Sequence, residues 1–184
     1  MTITYIVIAV FVLFAVLLIG AYNGLVRRRN RTEEAWSDIE VQMKRRYDLI
    51  PNVVETVKGY AAHEKNVLES VTNARTSAMG ATNAQEKLQA ENALSSTLKT
   101  LFAVAENYPE LKANANFLDL QRELADTENK LQSARRFYNS MVRDYNTMIQ
   151  TFPSALIANA FNFMKKDFFG LEDEAAREPV KVSF

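Results

Sequence analysis

The chain has 184 residues, of which 22 are basic and 22 are acidic, so its formal net charge is zero. This balance lacks the basic excess of a nucleic-acid-binding protein, and we expect no nucleic-acid partner. The absence of cysteine excludes disulfides, thiolate metal ligands and a thiol nucleophile, while the scarcity of glycine and of β-branched alternation disfavours a sheet.

The most apolar part of the chain is residues 3–22, ITYIVIAVFVLFAVLLIGAY, in which only Thr4 and Gly20 are neither apolar nor aromatic. Twenty helical residues span about 30 Å, the thickness of the hydrocarbon core of a bilayer. A secretory signal peptide has a basic start, a shorter apolar core and a small-residue cleavage site, and none of these is present. We therefore predict an uncleaved transmembrane anchor over residues 1–26, in contact with the lipid bilayer through residues 3–22.

Basic residues follow this apolar segment but do not precede it. Residues 27–31 read RRRNR, and no charged side chain lies before Arg27. Because basic flanks stay in the cytoplasm, we expect the N-terminus outside and the body cytoplasmic, with the reverse orientation as the alternative.

Apolar residues three and four apart predict a very long first helix of the body. Proline lacks a backbone donor and clashes with the preceding turn, so we expect a kink or a restart near residues 48–51, with Pro51 at a boundary. No other proline and only Gly24 lie between the anchor and Pro51, so the anchor helix is expected to continue into the body. The predicted stripe comprises Trp36, Ile39, Met43, Tyr47, Ile50, Val54, Val57, Ala61, Leu68, Val71 and Ala78.

The remaining helices follow in order. Residues 78–83 predict a turn, residues 84–108 a second helix, and residues 109–116 a loop or a single helical turn, because Pro109 ends the helix before it. Pro153 is expected at the first position of a short fourth helix carrying Ile157, Ala158, Phe161 and Met164. The third helix has an unbroken stripe of Phe117, Leu120, Leu124, Thr127, Leu131, Ala134, Tyr138, Met141, Tyr145, Met148 and Phe152.

These elements predict an all-α fold, in which an N-terminal transmembrane helix is followed by an antiparallel bundle of long helices, three long and one short. We assign the bundle to residues 27–170 and an extended tail to residues 171–184.

Four segments resemble the LemA family. Residues 30–64 read NRTEEAWSDIEVQMKRRYDLIPNVVETVKGYAAHE, and residues 103–153 read AVAENYPELKANANFLDLQRELADTENKLQSARRFYNSMVRDYNTMIQTFP. The short segments are YNGLV at residues 22–26 and VKVSF at residues 180–184. The resemblance covers nearly the whole chain. It implies a single-pass protein of the bacterial inner membrane with a helical-bundle body. The family has no agreed biochemical activity, so the resemblance assigns no functional role to any residue.

The residues that could carry chemistry form no recognised site. His63 and Glu64 begin like a zincin motif, but Val67 stands where the second histidine is needed. Neither a Glu-x-x-His motif nor a glycine-rich phosphate loop is present. We therefore predict no catalytic, cofactor-binding or metal-binding residues, no cofactor, no small-molecule substrate and no enzyme activity. Glu40, Glu64 and Glu128 are expected to snorkel or to pair with lysine or arginine.

Two groups of residues suggest contacts. Residues 27–31 and 44–46 could bind anionic lipid, although the simpler interpretation is that residues 27–31 set topology, and residues 44–46 reach headgroups only if the helix tilts strongly. On one helix Phe161 and Phe163 would lie about 200° apart, so we expect a subunit, a partner or lipid to cover one of them. Five phenylalanines follow Pro153, namely Phe161, Phe163, Phe168, Phe169 and Phe184.

The favoured hypothesis is a membrane-anchored, non-catalytic helical scaffold or adaptor that forms a homo-oligomer or binds another envelope protein. The alternative is a regulatory subunit of a membrane enzyme such as a protease or transporter. A metal enzyme in the bundle core is disfavoured by the missing ligands.

Overall fold

A computed structural model describes residues 2–170, and within this range every regular element is a helix. The six helices are α1 (Thr2–Tyr60), α2 (Lys65–Gly80), α3 (Ala84–Ala105), α4 (Pro109–Lys112), α5 (Ala115–Gln150) and α6 (Ser154–Ala160). A long apolar N-terminal helix followed by a helical bundle confirms the predicted fold class. The predicted tail, residues 171–184, lies outside the described residues.

Helix α1 has 59 residues and contains both the apolar segment and the first helix of the body. Pro51 lies inside it, so the predicted restart of the helix and the boundary at Pro51 are wrong, while the alternative of a kink there stays a prediction. A proline inside a helix costs about 3 kcal/mol. Ile50 and Val53 are completely buried on either side of it. Burying each such side chain contributes about 1.5–3 kcal/mol, which offsets the defect.

The stripe predicted to run from Trp36 to Ala78 belongs to two helices. α1 ends at Tyr60 and α2 begins at Lys65, with a turn between them in which the Glu64 amide donates to the Ala61 carbonyl over 3.0 Å. The predicted face is nevertheless kept across the turn, because Ala61 and Leu68 are both buried.

The link between α2 and α3 is a capped turn over residues 81–83, shorter than the turn predicted for residues 78–83 because α2 continues to Gly80. The side chain of Asn83 accepts a hydrogen bond of 2.8 Å from the Glu86 amide at the start of α3. The Glu86 carboxylate reaches back to Thr82, whose amide and hydroxyl lie 3.3 and 3.2 Å from it. These bonds satisfy helix N-terminal groups that would otherwise lack partners, and the hydrogen bonds to Thr82 and Asn83 lower the pKa of Glu86.

Two compact units divide the chain, and both contain parts of α1 and α5. Unit 1 comprises residues 2–37 and 136–168, and unit 2 comprises residues 38–135 with Phe169 and Gly170. The core of unit 1 contains Leu25, Tyr145, Ile149, Ile157 and Ala158. Leu25 lies in the segment assigned to the anchor, so the last turn of that segment also packs within the body.

The buried positions of α5 follow the predicted stripe as far as Tyr145, with Met141 and Met148 half-buried. Val142 and Ile149, which are not in the stripe, are also buried, whereas Phe152 is 83% exposed. The stripe fails there because α5 ends at Gln150, and Phe152 no longer lies on its face. Pro153 is the residue before α6 rather than its first position.

Candidate functional site

Unit 2 buries a group of charged side chains that come from α1, α3 and α5. Arg46 is 3% exposed and Glu91 is completely buried. One guanidinium nitrogen of Arg46, Nη1, lies 2.9 Å from Glu91 Oε2 and 3.2 Å from Glu128 Oε2. The other, Nη2, donates to Ser95 Oγ over 2.8 Å. Arg46 therefore ties three helices together through a single side chain.

Tyr47 completes the pairing of Glu91. Its hydroxyl donates to Glu91 Oε1, so both carboxylate oxygens of this buried residue are engaged. Arg75 Nε donates to the Tyr47 carbonyl over 2.7 Å. Burial raises the pKa of Tyr47, and the hydrogen bond to Glu91 and its negative charge act in the same direction. The phenol is therefore neutral at ordinary pH and serves as a donor.

Arg135 is the second cation of the group. Its guanidinium carbon lies 4.9 Å from the centre of the Phe169 ring, a distance typical of a cation–π contact. Burial lowers the pKa of Arg135, while the charges of Glu91 and Glu128 oppose this shift. We call Arg46, Arg135, Glu91 and Glu128 the buried ion cluster. Its two positive and two negative charges cancel.

A cleft of about 330 Å³ adjoins the buried ion cluster. Its walls are mainly apolar and include Leu98, Phe102 and Leu124, with Arg46 and Glu128 at one side. These two charged groups already pair with one another at 3.2 Å. A charge-balanced cluster that joins α1, α3 and α5 is one way in which a bundle fixes the register of its helices.

His63 and Glu64, which begin like a zincin motif, lie in and directly after the turn that follows α1. His63 is exposed in the turn after α1, and Glu64 accepts a hydrogen bond of 3.0 Å from the Tyr108 hydroxyl. Among residues 2–170, no group of three or more His, Asp or Glu side chains is placed to hold a metal ion. The predicted ion pairing is confirmed for Glu40 with Lys87, at 3.4 Å, and for Glu128 with Arg46. For Glu64 the partner found is a tyrosine.

The suggested lipid-binding role of residues 44–46 is wrong for Arg46, because its side chain is buried against Glu91. The predicted buried stripe of α1 contains Tyr47 but not its neighbour Arg46, so the sequence pattern missed this residue. Two signals could have found the pair. Arg46 fits a regular spacing of four and three residues with Ile39, Met43, Ile50, Val53 and Val57, all of which are buried. Glu91 lies between Leu88 and Leu94, where the apolar stripe of α3 has a gap.

Unit 1 has an aromatic contact at the end of the apolar segment. The ring centre of Tyr22 lies 4.9 Å from that of Phe161 and 5.9 Å from that of Phe163. The guanidinium carbon of Arg29 lies 5.5 Å from the Phe163 ring centre. The expected separation of the two phenylalanines by 200° is wrong, because α6 ends at Ala160 and Asn162 has a φ of +53°. The chain turns there, and both rings reach Tyr22.

The apolar segment itself is exposed along almost its whole length. From Thr2 to Gly20 only Ala15 is half-buried. Among the described residues, α1 is the one helix that is long and apolar enough to cross a membrane. One residue of its basic flank is paired within unit 1, since Arg28 lies 3.6 Å from Asp144. Glu33, just beyond the flank, lies 3.0 Å from Lys166.

Comparison with known proteins identifies related chains. The sequence profile of the LemA family matches residues 35–184. Protein LemA of Metamycoplasma hominis is 25% identical over 168 residues, which cover 86% of this chain and 77% of that protein. Magnetosome protein MamQ 2 of Paramagnetospirillum magneticum is 24% identical over 184 residues, covering 86% of this chain and 68% of the relative. Magnetosome protein MamQ of Magnetospirillum gryphiswaldense is 23% identical with the same coverage.

Proposed function

Since the chain belongs to the LemA family, we propose that it is a membrane-anchored, non-catalytic helical scaffold or adaptor at the cytoplasmic face of the bacterial inner membrane. The observation that carries the proposal is the double role of α1. Residues 3–22 of this helix are apolar and exposed, while Leu25, Ile39 and Val57 of the same helix are completely buried in the body. A body attached through its own core helix is well suited to holding a fixed surface near the bilayer.

Two further findings support a role without catalysis. The strongest concentration of buried charge, the buried ion cluster, is internally balanced, and Arg46 is engaged by three partners, Glu91, Glu128 and Ser95. The names of the similar proteins, LemA and MamQ, are not names of enzymes. We therefore expect the protein to act through contacts of its surface rather than by chemistry within it.

The proposed orientation predicts that residues 27–184 are cytoplasmic, because basic residues follow the span and none precedes it. A fluorescent protein fused after Phe184 should fluoresce, and an alkaline phosphatase fused at the same position should be inactive. Fusions to a variant with Arg27, Arg28, Arg29 and Arg31 changed to glutamine should give a mixed result, because the charge bias is removed. An active phosphatase fused to the unaltered chain would contradict the orientation.

The proposed scaffold also predicts self-association. Chemical crosslinking of native membranes containing the tagged full-length protein at ordinary abundance should yield multiples of the monomer. Confinement to a bilayer raises the effective concentration, so weak contacts between bodies suffice. A chain whose residues 3–22 are replaced by an unrelated apolar span should crosslink equally well if the body makes the contact.

Extraction in mild detergent followed by mass spectrometry separates the scaffold from the alternative hypothesis. Recovery of the protein with itself supports the scaffold. If crosslinking yields only the monomer and a membrane enzyme is recovered in a fixed ratio, the protein is a regulatory subunit and the scaffold proposal fails.

A further inference from the structure

Residues 145–164 contain no charged side chain, although 24% of the whole chain is charged. At that frequency about five charges would be expected in twenty residues. The segment comprises the last turns of α5, the turn after it, α6 and the residues that follow. Lys165 and Lys166 come directly after it. The same order, an uncharged segment and then basic residues, occurs in the anchor and residues 27–31.

Four large apolar side chains of this segment are exposed. Phe152 is 83% exposed, Leu156 64%, Phe161 62% and Met164 76%. We call these four residues the α6 patch. Single exposed apolar residues are ordinary, but four within thirteen residues, with no charge among them, are typical of a contact surface.

The packing of α1 on α5 gives the level of the α6 patch relative to the apolar segment. Arg28 pairs with Asp144, and one turn nearer the N-terminus Gly24 faces Met148, whose Cε would lie 2.7 Å from a Cβ at position 24. A step of four residues toward the N-terminus of α1 therefore corresponds to a step of four residues toward the C-terminus of α5. Because α5 ends at Gln150, this step does not extend to Phe152, and the contact of Phe161 with Tyr22 instead places the patch at the end of the apolar segment of residues 3–22.

We propose that the α6 patch is a second membrane contact, inserted at the boundary between headgroups and acyl chains of the bilayer that residues 3–22 span. The inference rests on the anchoring in the proposed function and extends it to residues 130 positions away in the chain. Short amphipathic segments bind this boundary with their apolar side chains among the acyl chains and basic residues at the headgroups.

Two contacts connect the α6 patch to the end of the membrane span. Phe161 packs on Tyr22, and tyrosine near the end of a span prefers the interface. Phe163, which precedes the patch residue Met164, also packs on Tyr22, and Arg29 of the basic flank lies 5.5 Å from the centre of its ring. The bilayer is therefore the occupant favoured by position, since the span brings it to the level of the patch. A second copy of the chain could cover the α6 patch only by reaching it at the membrane surface.

Because the chain lacks cysteine, a single introduced thiol can carry one probe. The test uses the full-length protein in vesicles of phosphatidylethanolamine and phosphatidylglycerol. The variants Phe152→Cys and Leu156→Cys are labelled with an environment-sensitive fluorophore, and quenching by lipids with a nitroxide on the acyl chain is measured. Phe137→Cys is the matched control, because Phe137 is a phenylalanine of α5 in unit 1 that is 51% exposed. It lies about 20 Å along α5 from the end of that helix at Gln150.

We expect quenching at positions 152 and 156 to exceed quenching at position 137 about threefold, as for an interfacial segment. Phe11→Cys, in the middle of the span, reports the anchoring separately. If position 11 is quenched while positions 152 and 156 match position 137, the inference fails and the anchoring stands. If position 11 is not quenched, the anchoring fails and the inference with it. If positions 152 and 156 are not quenched and two Phe152→Cys chains form a disulfide, a second copy covers the patch and the inference is overturned.

Discussion

Replacing Arg46 by alanine is expected to lower the free energy of unfolding by about 3–5 kcal/mol, the usual cost of breaking a buried ion pair. Glu91 is completely buried and would lose the guanidinium that pairs with it. Glu128 would lose the same partner, and Ser95 would lose its hydrogen bond from Nη2. Unfolding in urea, followed by the helical circular dichroism of the full-length protein in detergent, measures the change.

Two variants test whether the buried ion cluster is the cause. Lys44→Ala removes an exposed lysine that lies 3.7 Å from Asp48, and such a surface pair contributes about 0–1 kcal/mol. The double variant Arg46→Met with Glu91→Leu replaces the pair by apolar side chains. It should recover most of the stability lost in Arg46→Ala, because the buried charge is gone as well. A loss in Arg46→Ala no greater than in Lys44→Ala would contradict the assigned role.

The long helices, the apolar segment and most of the buried face could be predicted because they depend on local spacing. A period of three and four residues identifies the positions that face a neighbouring helix, and Ile39, Met43 and Leu131 are indeed buried. The same rule assumes that buried residues are apolar, so it passed over Arg46 and Glu91. Their burial depends on partners 45 residues apart in the chain, which spacing within one helix does not reveal.

The end of α5 and the start of α6 show a second limit. The stripe continued to Phe152 because its spacing was correct, but the helix ends at Gln150 and the ring is exposed. The sequence pattern places Phe161 and Phe163 on opposite faces of one helix, whereas α6 ends at Ala160 and the left-handed backbone of Asn162 lets both rings reach Tyr22. A single asparagine with positive φ is a local signal, yet the sequence around it also allows one more turn of helix. The contact of both rings with Tyr22 depends on the packing of α1 in unit 1.

Changing Tyr138 to aspartate is expected to destabilise unit 1 severely. Tyr138 is 7% exposed, its ring centre lies 5.3 Å from that of Trp36, and its hydroxyl donates to the Asp167 carbonyl over 3.0 Å. Losing a buried aromatic ring costs about 3–5 kcal/mol, and burying an unpaired carboxylate adds to that loss. Burial and the negative charge of Asp167 already raise the pKa of Tyr138, so a new carboxylate there would also be repelled.

The pH dependence of this variant provides an independent check. A carboxylate at position 138 should have its pKa raised in the folded state, so the folded variant binds a proton more readily than the unfolded chain. Its stability should therefore be greatest below about pH 4, the ordinary pKa of aspartate, and should fall as the pH rises through the folded pKa. The parent protein, measured beside it, should not show this additional fall.

Two neighbouring substitutions complete the Tyr138 experiment. Phe137→Asp places the same charge on the adjacent residue, which is 51% exposed, and it should change the free energy of unfolding by only about 0.5 kcal/mol. Tyr138→Phe keeps the ring and removes only the hydrogen bond to Asp167, for an expected loss of about 0.5–1.5 kcal/mol. The free energies of unfolding of Phe137→Asp and Tyr138→Phe should then lie close to that of the parent protein. That of Tyr138→Asp should lie far below both. If Tyr138→Asp instead unfolds at the same urea concentration as Phe137→Asp, position 138 does not face the core of unit 1, and the packing of α5 on α1 has to be reassigned.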